Sequence, residues 1–152
     1  MSDSTTAELQ DAEPRPISNY SGQASDWFLQ QLVRFSNDWG IEMGITLQVS
    51  GVLVSGTLIN GKKYFEDFSI SFASGFKSDS ELAESFKSLI GSYKEIYTTK
   101  PPEDADQPPP GYIHLKNARF IVPGQQAVPN PPGTLWRGRI SEVGGFILGS
   151  LS

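Results

Sequence analysis

Gly44-Ile-Thr-Leu-Gln-Val-Ser-Gly-Val-Leu-Val-Ser-Gly-Thr-Leu-Ile59 holds two apolar runs hinged at Ser50-Gly51 and followed by Asn60-Gly61. In the first run Ile45, Leu47 and Val49 alternate with Thr46 and Gln48, the period of a strand with one buried face. Ser50-Gly51 is short and permissive enough for a hairpin turn. The second run is apolar on both faces, with Val52, Val54 and Leu58 on one and Leu53 and Ile59 on the other, so it reads as a central strand covered on both sides. A sheet is therefore the expected frame.

Working outward, Phe28, Leu32, Phe35 and Trp39 recur at helical spacing between Ser25, a candidate N-cap, and Gly40, a stop. These four side chains predict an amphipathic helix whose stripe docks on the sheet. Beyond the hairpin, Lys62 to Phe76 places Phe65, Phe68 and Phe72 along one helical face, although the alternation of Phe68, Ile70 and Phe72 also permits a strand. Ser78-Asp-Ser-Glu81 has capping-box spacing ahead of the stripe Leu82, Phe86, Leu89, Ile90 and Tyr93, which predicts a helix ending near Thr98.

A Pro-rich acidic stretch at 100–111 reads as an extended connector. Tyr112 to Val122 alternates as a third strand, closed by Pro123-Gly124. Leu135 to Ile140 and Phe146 to Leu148 flank Glu142-Val-Gly-Gly145, which predicts a last hairpin. The expected fold class is α+β: a mainly antiparallel sheet of about five strands, with an N-terminal helix and a two-helix insert after the first hairpin. Residues 1–22 are polar, acidic and poor in large apolar groups, so they read as a disordered tail before a single domain over 23–152.

Composition narrows the chemistry. The 152-residue chain has no cysteine and a single histidine, which excludes disulfides, thiolate catalysis and a His/Cys zinc cage within one chain. The N-terminus has no signal-peptide core and no apolar run is long enough to span a bilayer, so a cytoplasmic protein without membrane contact is expected. A net charge of -5 argues against general binding to nucleic-acid backbones. The charge is nonetheless segregated. Asp3, Glu8, Asp11 and Glu13 face only Arg15 before Tyr20, whereas Lys116, Arg119, Arg137 and Arg139 face only Glu142 after Tyr112.

Catalytic candidates are scarce. His114 lies between Ile113 and Leu115 with no neighbouring carboxylate, serine or arginine, and reads as a surface or satisfied histidine. Gly51 to Thr57 has the glycine spacing of a phosphate loop but lacks its lysine and consists of strand formers. Glu103, Asp104 and Asp106 lie among prolines without an ordered frame for a cation. No catalytic, cofactor-binding or metal-ligating residue is assigned, and no enzymatic activity is expected. The remaining candidate is an interaction surface at Lys116, Arg119, Arg137 and Arg139, with Trp136 on the alternate face of its strand. The aromatic supply, from Trp27 and Phe28 to Phe86, exceeds what a small core needs, so part of it is expected at a protein contact.

Three segments carry a family resemblance: Gly44-Ile-Thr-Leu with Val54 to Phe65, then Tyr112 to Phe120, then Trp136 to Leu151. Together they resemble the gas vesicle accessory protein U (GvpU) family. The resemblance implies a non-enzymatic, cytoplasmic, gas-vesicle-associated protein, an assembly factor or surface adapter affecting vesicle formation or clustering. Its implied partners are the vesicle shell or other gas vesicle proteins, with self-association of the chain; no residue-level site is implied. The order of helix, bent Gly-rich hairpin and later strands is also similar to Sm-like small barrels, ring-forming modules that bind RNA or protein. The long insert after the second strand and the net acidity count against that alternative.

Overall fold

The computed structural model describes residues 25–76, 80–98 and 107–151. The expected acidic tail, the start of the capping box at Ser78 and most of the Pro-rich connector lie outside them. In chain order the elements are α1 (Trp27–Trp39), β1 (Met43–Val49), β2 (Val52–Ile59), α2 (Gly61–Ala73), α3 (Ser80–Ser92), the single helical turn α4 (Glu95–Thr98), β3 (Tyr112–Ile121), β4 (Thr134–Arg139), a 3-10 turn (Ile140–Glu142) and β5 (Val143–Leu148). The strands form one antiparallel sheet in the order β4-β3-β2-β1-β5.

The opening hairpin pairs Val49 with Val52 and Met43 with Leu58. Its turn takes Ser50 at φ 50 and Gly51 at φ 78, the positive pair that matches the twist of the flanking strands. β2 is central and buried on both faces. One face carries Leu47, Val54, Leu58 and Leu115, packed with Leu29 and Val33 of α1. Ile59 and His114, paired across β2 and β3, point to the other face, where Tyr64 of α2 and Tyr97 of α4 meet the imidazole. The sheet is thus sandwiched between α1 and the inserted helices.

The face of α1 differs from the expected stripe. Its buried residues are Leu29, Val33 and Ser36, while Phe28 is 49% exposed. Ser36 is small enough to let the helix approach the sheet closely, so the bulkier Phe35 and Trp39 flank the contact, their tilted rings 5.3 Å apart. The N-cap is Asp26, not Ser25: its carboxylate accepts the Phe28 N–H at 2.8 Å. Gly40, at φ 68, ends the helix by donating its N–H to the Ser36 carbonyl.

The described elements of the insert are helices. Asn60 caps α2 by accepting the Lys63 N–H at 2.6 Å, which resolves the helix-or-strand ambiguity in favour of a helix. α3 ends at Ser92, short of Thr98, and buries none of its residues. It is joined to α2 by rings: Phe86 stacks on Phe76 at 5.4 Å and meets Phe72 at 5.8 Å. The apolar stripe of α3 therefore serves a helical arm and not the sheet core.

The expected hairpin between β4 and β5 does not form. Those strands occupy opposite ends of the sheet order, and Gly144 and Gly145 lie inside β5. Only the 3-10 turn separates them. A flat five-strand sheet measures about 19 Å between its edge strands, whereas the chain from Arg139 to Val143 spans at most about 14 Å. The sheet must therefore roll toward a barrel, and the fully buried Ile140 pins the corner into the core.

Candidate interaction surface

Pairing of β3 with β4 sets His114 opposite Arg137 and Tyr112 opposite Arg139, so all four share the face covered by the inserted helices. The Arg137 guanidinium lies 3.7 Å from the centre of the Tyr112 ring and 5.6 Å from that of Phe65. A cation over aromatic faces in a partly desolvated site is held more strongly than one in water. Its Nη1 atom is buried and, among the described residues, has no hydrogen-bond partner. Arg139 is exposed beside it at the end of β4.

The other expected members are arranged differently. Lys116 forms an ion pair with Glu42. Arg119 donates from Nε to the Pro129 carbonyl at 3.0 Å and from Nη2 to that of Ala127 at 3.4 Å, bracing the loop after β3. Trp136 lies on the opposite face, packed against the core, with its ring over Gly138 where a Cβ would collide with it. Arg137 and Arg139 thus share one face of β4, while Lys116 and Arg119 are engaged locally. A groove of about 440 Å³ runs beside Lys116, lined by Asp67, Phe68, Ser71, Asn117 and Thr134 among others.

His114 corrects the expectation of a surface or satisfied residue. It is 1% exposed, and among the described residues neither ring nitrogen has a hydrogen-bond partner. Tyr64, Tyr97 and Phe65 surround it with ring centroids at 4.6, 5.7 and 6.0 Å. Burial, reinforced by the Arg137 charge, lowers its pKa to about 3 and keeps the imidazole neutral. Burial likewise raises the pKa of Tyr64 and Tyr97, against the opposing pull of Arg137. Among the described residues its neighbours are aromatic rings, against which the imidazole packs.

Residues 26–151 match the protein family described as Gas vesicle protein GvpU-like. The chain belongs to that family. The match spans every strand and helix described above. Neither the curated proteins nor the solved structures give a significant match. Membership makes this a gas-vesicle-related protein, of an accessory family that is not a known enzyme family. Among the described residues of the GvpU-like fold, no helix is long and apolar enough to cross a membrane, and no group of three or more His, Asp or Glu side chains is placed to hold a metal.

Sequence reading found the arginines but missed their setting. Tyr112, two residues before His114, was recognisable as sharing its face from strand alternation alone. Tyr64, Phe65 and Tyr97 carried no such signal, because they reach the site from helices separated from β3 in sequence.

Proposed function

We propose that this GvpU-like protein is a non-enzymatic adapter that binds an acidic segment of a gas vesicle shell or accessory protein and, by associating with itself, gathers vesicles. The observation that carries the reading is that Arg137 and Arg139 share one face of β4, with the Arg137 guanidinium held over the Tyr112 ring. A planar fork fixed on aromatic rings is already oriented for a carboxylate, so less side-chain entropy is lost on binding. The net charge of -5 disfavours a nucleic-acid partner.

The test is co-flotation of labelled protein with intact vesicles across a salt series, using Arg139→Glu and Arg137→Lys. Binding that weakens with salt, falls at least several-fold with Arg139→Glu and survives partly with Arg137→Lys is expected. Unchanged flotation in both variants would remove the arginine pair from the interaction, and absence of flotation by the wild type would remove the vesicle.

One observation favours the Sm-like reading, a module binding RNA or protein: a rolled five-stranded antiparallel sheet behind an N-terminal helix, with a short corner between its edge strands. Salt-sensitive retention of single-stranded RNA by the wild type, reduced by Tyr112→Ala, would move that reading to the front.

A further inference from the structure

Among the described residues, β5 is an edge strand bonded only to β1. The Gly149 N–H donates to the Gly44 carbonyl at 2.8 Å, one step beyond the pairing of Ile45 with Leu148. By the alternation of an antiparallel ladder, the backbone groups of Gly145 and Ile147 also turn inward, and those of Phe146 and Leu148 face outward from the sheet. These outward groups are a template for another strand.

Edge strands commonly guard themselves with lysine, proline or inward charge. The segment from Val143 to Leu151 has none of these. Its side chains are instead apolar on both faces. Leu148 is 67% exposed on the α1 side, the face on which the Phe146 ring meets Phe28 at 5.8 Å; Ile147 is 56% exposed on the other side.

We infer that β5 is a docking edge for a second copy of this chain, two β5 strands pairing antiparallel about a twofold axis through Ile147. In that register Ile147 meets its own copy in a non-hydrogen-bonded pair, and Phe146 meets Leu148 of the second copy in a hydrogen-bonded one. Charge selects this occupant. A twofold contact sets the groups near its axis close to their own copies, where a charged side chain would meet its like, and Val143 to Leu151 carries no charge. A like contact at the β4 edge would bring Arg137 and Arg139 close to their own copies. The corner at Ile140–Glu142 lies at the start of β5, so the pairing centres on the distal half of the strand and is short. Several such weak contacts on one vesicle surface gain strength through effective concentration. The inference deepens the adapter reading and relies on it only for the purpose of the pairing.

The absence of cysteine makes the test direct. Ile147→Cys places two thiols in a non-hydrogen-bonded pair, whose ~4.5 Å Cα separation is within disulfide range. Under mild oxidation it should yield a cross-linked dimer at least tenfold faster than Ile70→Cys, an equally exposed control on α2. Ile147→Lys, which sets like charges on the axis at an exposed site, should shift sedimentation from dimer to monomer without changing the circular dichroism spectrum.

A wild type that is monomeric at all concentrations overturns the inference, as does equal cross-linking of the two cysteine variants. Association larger than a dimer that persists in Ile147→Lys would place the contact elsewhere and also overturn it. Co-flotation separates this inference from the adapter reading. Wild-type vesicle clustering that survives in a monomeric Ile147→Lys refutes the purpose of the pairing, whereas a β5 dimer that never floats with vesicles supports the pairing and sinks the adapter.

Discussion

His114 shows how much one residue can be changed by neighbours remote in sequence. Its pKa is lowered from 6.5 to about 3, so between those values the unfolded chain binds a proton that the folded chain refuses. Stability contributed by the neutral ring is therefore complete above pH 6.5 and declines as the pH falls toward 3, by about 1.4 kcal/mol per unit within the window. His114→Met fills a similar volume among the rings without titrating. Urea unfolding at a series of pH values should show a shallower acid slope for this variant, the difference from wild type isolating the histidine from the carboxylates. A second residue-scale constraint is Gly61, where a Cβ would collide with the Tyr97 ring. Gly61→Ala should destabilise by about 1–3 kcal/mol, as overpacking does. Tyr97→Ala should relieve most of that loss, so a double-mutant cycle between the two positions is expected to be strongly non-additive.

Among the elements, α1 illustrates the gap between detecting a helix and orienting it. Helical spacing is satisfied by Phe28, Leu32, Phe35 and Trp39, and also by Leu29, Val33 and Ser36, one residue further round. Hydrophobicity favours the first set and close approach favours the second, because Ser36 leaves room for the sheet. The two sets make opposite predictions. Leu29→Ala, at a fully buried position, should lose about 2–5 kcal/mol. Phe28→Ala, at a half-exposed one, should lose clearly less, and comparison of their denaturation midpoints decides between the faces.

At the scale of the whole molecule, the protein divides into a rolled sheet with α1 and an arm built from α2 and α3. The core side chains belong to the first part. The arm is tied together by Phe72, Phe76 and Phe86 and tied to the sheet through Tyr64 and His114. Local stability follows buried contact, so α3, with no buried residue, is the part expected to open first. Phe86→Ala should raise hydrogen exchange across α3 while leaving the amides of β1, β2 and β3 as protected as in the wild type. Loss of protection throughout would instead make the arm and the sheet one cooperative unit.

The sequence by itself determined what depends on near neighbours. Alternation in Gly44 to Ile59 predicted the hairpin and the central strand, Gly40 predicted a helix stop, and the three segments resembling the GvpU family pointed to it over most of the ordered chain. Fold class followed, because periodicity is a local property of the chain. Tertiary structure alone decided which side of α1 is buried, that β4 and β5 lie at opposite ends of a rolled sheet, and that His114 and Arg137 face one another under aromatic rings. Each of these depends on register between segments far apart in sequence. A strand's neighbours are chosen by the shape and burial of the assembled core, and no local pattern encodes that choice.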